Sequence, residues 1–343
     1  MIEITEVFLK KVIMHRVSYV ESQSHANDEV CDLSDEALVD TFKSMFLKPF
    51  TNNVSSQEFH HSIDLSYNVL FGLSKQIREN GNFIALSKQI FEHLMSVSDN
   101  ANIKDGDLFI ARVEDIKLNE NFYEGLAICK FEEKQDFVET SLTSSDLNYS
   151  LRRGLGTKKP EKAVLILFTE EPYTLLVIDN GNAETEYWQN RFIGNRQKAD
   201  FVNNTTDLLL MAKNFITEQI PQEFDINKAD QIDLLNKSFA YFKEKESFDI
   251  EEFSQQVIAN EEGIAAFKTY KKNFDEALDT PIPDSFDISE KAVKKQARAY
   301  KSVLKLDKNF HIYIHGDKEL IENGFDDDKR MNYYKVYYHQ EES

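Results

Sequence analysis

Cysteine is nearly absent from this chain of 343 residues: Cys31 and Cys129 are the only two. A disulfide framework of the kind that holds small secreted domains together is therefore excluded. Cys129 lies in the apolar run LAICKF and reads as a buried thiol, while Cys31 follows a polar loop. Two free thiols in a reducing cytosol are expected, with a single bridge between them as the alternative. Tryptophan occurs once, at Trp188. Long apolar runs are missing too. The N-terminus MIEITEVFLKKVIMHRVSYV is interrupted by Glu3, Glu6 and a Lys-Lys pair, so neither a signal peptide nor a membrane span is expected, and the protein is placed in the cytoplasm. There is no internal repeat and no low-complexity tract.

Catalytic motifs are missing as well. No Gly-Lys-Ser/Thr phosphate loop occurs, and GLGTKKP, beginning at Gly154, lacks the strand-to-helix setting of a dinucleotide fingerprint. His60 and His61 are adjacent, so on a helix they face different ways, and no partner with zinc spacing stands nearby. Asp326, Asp327 and Asp328 lack the alternating spacing of a calcium loop and read as an acidic surface turn. No nucleophile elbow or kinase set is present. The chain is expected to be neither an enzyme nor a holder of a metal or cofactor.

What the chain does have is acid. Asp+Glu number 60 against 40 Lys+Arg, for a formal charge of -20. The average repels DNA and anionic membranes, but the bases are unevenly spread. Residues 152–162 carry +4, residues 187–198 carry +3 and residues 289–310 carry +5, which leaves -32 for everything else. Such segregation fits a phosphate-binding face on an acidic body. The candidate contacts are Arg152, Arg153, Lys158 and Lys159; Arg191, Arg196 and Lys198; and Lys291, Lys294, Lys295, Arg298 and Lys301.

Periodicity predicts an α+β protein: an N-terminal, mainly antiparallel sheet with helices, then a helical region closed by a small C-terminal β unit. The expected regions are 1–192 (α+β), 193–280 (helical) and 281–343 (a basic helix and small β unit packed with the helical region). A strand over 2–13 is followed by a helix in LSDEALVDTFKSMFLKPF, with Ser34 as its cap. Two helices follow at 62–79 and 83–97, separated by Asn80-Gly81. Hairpin-linked strands come next, and Asn180-Gly181 predicts a further hairpin whose return strand is TEYWQNRF. Helix resumes at Asn195. TPIPDSFD reads as a linker, and Ser289 caps the basic helix after it.

The run YWQNRFIGNRQKADFV, residues 187–202, is the densest combination of these features. Phe192, Ile193, Gly194, Arg196, Lys198, Ala199, Asp200 and Phe201 resemble a motif of the bacterial NdpA-like nucleoid-associated protein family. Asn195 departs from that motif, displacing its first arginine, and Val202 replaces its second aromatic. The acidic-capped N-terminal helix and the closing LDKNFHIYIHGDKELIENGF fit the same family, so the resemblance spans nearly the whole chain. It implies a cytoplasmic, nucleoid-associated, DNA-binding protein without an established enzymatic role, and a homodimer. Within the motif, Asn195 is expected to cap the following helix, whose first turn would present Arg196 and Lys198, with Arg191 beside it, as a phosphate seat. Phosphate contacts carry no sequence information, so little specificity is expected. The alternative is an acidic interaction module that docks on a DNA-handling protein.

Overall fold

The computed structural model describes residues 2–52, 55–143, 146–156, 159–180, 187–278, 280–300, 303–313 and 320–340. The chain forms two compact units, Met1–Lys198 and Ala199–Ser343.

The first unit contains, in chain order, β1 (Ile2–Glu3), β2 (Phe8–Val17), β3 (His25–Ala26), α1 (Glu36–Phe46), β4 (Gln57–Phe59), α2 (Val69–Arg78), α3 (Phe83–Val97), β5 (Gly106–Leu118), β6 (Asn121–Phe131), β7 (Gln135–Leu142), β8 (Leu147–Gly154), β9 (Lys162–Leu167), β10 (Thr174–Asp179) and β11 (Asn195–Gln197). Nine of these strands make one sheet in the order β11-β4-β10-β9-β6-β5-β2-β3, with β1 also on β5. Its pairings are all antiparallel.

Both faces of the sheet are covered. Side chains alternate along a strand, so Leu108 and Ile110 of β5 face one way and Phe109 and Ala111 the other. The first set joins Leu126, Ile128, Val164 and Ile166 against α2 and α3. The second joins Ala127, Cys129, Ala163 and Leu165 against Phe42, Met45 and Phe46 of α1. Double coverage explains why KAVLIL of β9 is buried at every position.

Helix ends follow short polar caps. α1 is capped by Asp35, whose carboxylate accepts from the Ala37 and Leu38 amides. Ser34 is not the cap. Asn80 takes the left-handed conformation (φ 64°) between α2 and α3, as its position before Gly81 predicts. The helix expected from residue 62 begins only at Val69, where the Asn68 side chain caps it. Cys31 and Cys129 are free thiols.

The second unit contains α4 (Phe201–Asn214), α5 (Ile220–Glu223), α6 (Lys228–Glu244), β12 (Ser247–Asp249), α7 (Ile250–Phe253), α8 (Glu261–Glu276), β13 (Ser285–Asp287), α9 (Glu290–Gln296), β14 (Val303–Leu306), β15 (Phe310–Tyr313), β16 (Ile321–Asp326) and β17 (Met331–Val336). Phe215, Phe242, Phe248, Phe253 and Phe267 are buried at the centre of its core. The stretch TPIPDSFD is not a linker. β13 pairs with β12, Ile282 is buried, and the buried Lys271 ammonium donates to the Ile282 carbonyl (2.7 Å) and pairs with Asp275 and Asp284. Small two-stranded sheets, β12–β13, β14–β15 and β16–β17, accompany the helices. The α+β class and its order, sheet first and a helical region closed by small β units, are as the periodicity predicts.

Candidate nucleic-acid interface

The segment Tyr187–Ile193 is not a return strand. It is a π-helical turn whose buried residues are Tyr187, Trp188, Phe192 and Ile193. The spacing explains the form: 187 and 192, like 188 and 193, are five apart, so a wide i→i+5 turn places both apolar pairs on one side. Those four side chains complete the core over α2 and α3. Gly181, the second residue of the expected hairpin turn, lies outside the described residues.

After the π turn the backbone reverses at Gly194, which has φ 63°. A Cβ there would stand 2.6 Å from Asn68 Nδ2. Asn68 is the hub of this joint. Its Nδ2 donates to the carbonyls of His60 (3.0 Å), Ile193 (2.9 Å) and Gly194 (2.9 Å), while its Oδ1 accepts from the Phe71 amide to cap α2.

The chain next runs as β11 along β4, pairing Asn195 with Phe59 and Gln197 with Gln57. Asn195 is therefore a strand residue and not a helix cap. The cap of α4 is Asp200, whose carboxylate accepts from the Val202 and Asn203 amides. The seat expected from Arg196 and Lys198 in a first helical turn does not form, because those residues precede the helix. Their side chains are also engaged. Arg196 pairs with Glu58 at 2.8 Å, and Lys198 donates to Thr174 Oγ1 at 2.8 Å. Arg191 makes a two-pronged pair with Asp99 (2.8 and 3.0 Å), which lowers the Asp99 pKa and raises its own.

A cavity of about 440 Å³ opens at the joint, lined by His60, His61, Tyr67, Asn68, His93, Arg191 and Gly194 among others. The His93 Nε2–H donates to the Phe192 carbonyl (2.9 Å), and the two rings stack with centroids 5.4 Å apart. Burial lowers the His93 pKa against the opposing effect of that hydrogen bond, so this imidazole is neutral near pH 7.

Tyr187 anchors the start of the motif in a polar cluster that the sequence does not announce. The fully buried Lys130 donates to Tyr187 Oη (3.1 Å), Glu132 (2.9 Å) and the Lys104 carbonyl (2.6 Å). Lys162 is buried beside it and paired with Asp179. Desolvation lowers the Lys130 pKa and raises that of Tyr187. Lys162 thus drops out of the basic island at residues 152–162. In that island Arg152 and Arg153 lie on β8, paired across the hairpin with Glu139 (2.9 Å) and Asp136 (3.7 Å). Lys159 is exposed, and Lys158 lies outside the described residues.

The island at residues 289–310 is different. Ser289 caps α9 as expected, accepting from the Ala292 amide, and Ala292 and Val293 turn inward. Lys291, Lys294 and Lys295 of α9 and Arg298 of the turn that follows are all exposed, at spacings of three or four that share one side of a helix. Lys294 pairs with Glu290 at 3.1 Å. Among the described residues, Lys291, Lys295 and Arg298 have no acidic partner; Lys301 lies outside them. Two buried bonds hold this segment to α4, one from Ser289 N–H to Thr205 Oγ1 (3.0 Å) and one from Tyr300 Oη–H to the Leu209 carbonyl (2.5 Å).

Asp326, Asp327 and Asp328 form the turn between β16 and β17, where the Asp326 carboxylate accepts from the Asp328 and Lys329 amides. No three His, Cys, Asp or Glu side chains among the described residues converge as metal ligands. No helix among them is long and apolar enough to cross a membrane.

These features define an α+β protein with an acidic body and exposed basic elements. A family model described as nucleoid-associated protein YejK matches residues 13–332, and the chain belongs to that family. No curated protein matches it.

Proposed function

We propose that this protein associates with the nucleoid by binding DNA with little sequence specificity, and that it does so as a binding protein and not as an enzyme. The observation that carries this reading is the exposed basic side of α9 and the turn after it. Three of its four cations have no acidic partner among the described residues, so they give up no ion pair to meet phosphate. Family membership supports the same role.

The remaining candidates rank behind. Arg152, Arg153, Arg191 and Arg196 would each exchange an internal carboxylate for phosphate, and Lys198 would give up Thr174. Lys159 is exposed and stands between these groups in rank.

The test is a titration of duplex DNA at several salt concentrations. Replacing Lys291, Lys294, Lys295 and Arg298 by Gln should flatten the plot of log affinity against log salt by about 0.9 for every phosphate that is no longer neutralised. Replacing Arg191, Arg196 and Lys198 by Gln should flatten it less. Undetectable binding of the unmodified protein at low salt would refute the reading.

A further inference from the structure

The cavity of about 440 Å³ at the Gly194 joint lies wholly in the first unit, while α9 and its cations belong to the second. Its size falls within the range of about 300–1,000 Å³ typical of small-molecule sites and is far too small for a duplex. Its wall is built where four segments meet: the residues after β4, those before α2, His93 of α3, and the π turn with Gly194.

The composition of that wall departs from the rest of the chain. Among the described residues none that lines it is acidic, although Asp+Glu make up 60 of the chain's 343 residues. A wall without carboxylates is where so acidic a protein can admit an anion. Arg191 supplies the positive charge. It meets Asp99, which is not part of the wall, with two of its N–H groups, and the rest of its five-donor fork remains for a ligand. Tyr67 is 62% exposed and His60 is exposed as well, so the core does not account for their side chains.

The imidazoles of the wall are fixed in opposite senses. The Ile63 amide donates to His61 Nδ1 (3.3 Å), so the neutral His61 ring carries its proton on Nε2 and offers a donor. His93 donates from Nε2 to the Phe192 carbonyl (2.9 Å), so its Nδ1 offers an acceptor. The edge of a nucleobase presents the same mixture of donors and acceptors. Two ring pairs stand in the same wall, His61 with Tyr67 (centroids 5.6 Å) and His93 with Phe192 (5.4 Å). Aromatic walls favour a flat ligand that can stack. A simple anion would make no use of the rings, and an uncharged aromatic molecule would make no use of Arg191.

We propose that this cavity binds a single nucleotide, its base among the rings of His61, Tyr67 and His93 and its phosphate at Arg191. The nucleotide is either free or an unpaired unit of a single strand, since both present one base with one phosphate.

The experiment titrates the full chain by calorimetry with each of the four deoxynucleoside 5′-monophosphates. At least one should bind at a single site. Its nucleoside and inorganic phosphate should each bind at least about tenfold more weakly, because each supplies only part of the ligand. Tyr67→Ala removes a stacking ring and should weaken the nucleotide by about tenfold, leaving phosphate unchanged. Arg191→Gln should weaken the nucleotide by about tenfold and leave the nucleoside unchanged. Both side chains are exposed, so circular dichroism should show both variants folded. A single-stranded tetranucleotide that displaces the bound nucleotide identifies the strand as the source, and one that does not identifies the free nucleotide; either result upholds the site. The variant with Lys291, Lys294, Lys295 and Arg298 replaced by Gln should bind the nucleotide as the unmodified chain does, so failure of this site and failure of duplex binding are read separately. The proposal is overturned if none of the four nucleotides binds saturably. It is equally overturned if inorganic phosphate binds as tightly as the nucleotide, or if Tyr67→Ala and Arg191→Gln leave the affinity unchanged.

Discussion

Gly194 is where the π turn becomes a strand, and its positive φ and closeness to Asn68 leave no room for a side chain. Gly194→Ala combines left-handed strain with displacement of the Asn68 amide, so it should lower the unfolding free energy by about 2 kcal/mol or more. Denaturant titration measures this. Combined with Asn68→Ala, the loss should fall short of the sum, because both changes break the same bonds. A second residue, His15, sets a pH dependence. Its Nδ1 accepts from the Asn27 amide (3.1 Å) and its Nε2–H donates to Ser87 Oγ (3.2 Å), so the neutral ring has both nitrogens occupied. Burial, assisted by Lys88 and His25, lowers its pKa from 6.5 to about 4. Between those values the unfolded chain binds a proton that the native one does not. The stability from this site is therefore complete above 6.5 and is lost as pH falls toward 4. Thermal midpoints across that range should fall with pH, and His15→Gln should flatten the decline. The Gly-Asn pair at 194 and 195 marks a joint in sequence because both residues punctuate structure. That the joint is tied to Asn68 is a tertiary fact, and nothing local to either segment encodes it.

At the scale of elements, what sequence shows is set by how local the cause is. α1 and α3 carry their own apolar period and a nearby polar cap, and they form close to where those signals place them. The return strand at Tyr187–Ile193 fails because Tyr, Trp and Phe favour strands in general, while apolar pairs five apart are a rarely weighed signature of a π turn. The helix start moves from Asn195 to Asp200 because both residues can cap, and pairing of β11 with β4 decides between them. The three basic islands illustrate the same limit. Counting charges finds them, but only the fold separates cations already paired with carboxylates, Lys294 of α9 among them, from Lys291, Lys295 and Arg298, which have no acidic partner among the described residues. Holding α9 in place is a buried task for Thr205, whose hydroxyl receives the Ser289 amide. Thr205→Val keeps the shape and removes the acceptor, leaving that amide unsatisfied at a cost of about 1 to 3 kcal/mol. Hydrogen exchange should then quicken at the start of α9 more than in α2 or α3, which this bond does not touch.

For the whole molecule, the balance between -20 overall and +5 on residues 289–310 governs how DNA would be held. An acidic body lowers general affinity for polyanions, so attraction is confined to the few elements that carry bases. The exposed cations of α9 and its following turn are Lys291, Lys294, Lys295 and Arg298. The proposed contacts are to phosphate, and they position a protein without reading bases. If four phosphates are met, affinity should fall by about a hundredfold between 50 and 200 mM salt, from a slope of about -0.9 per contact. Over the same series, two duplexes of equal length and unrelated sequence should bind within about threefold of each other, since a single well-placed base contact would separate them by about 1 to 3 kcal/mol. Competition between the two duplexes for one protein sample measures the ratio directly. A preference of tenfold or more that persists as salt rises would mean that groups on this surface reach base edges, and the phosphate-only description would have to be abandoned.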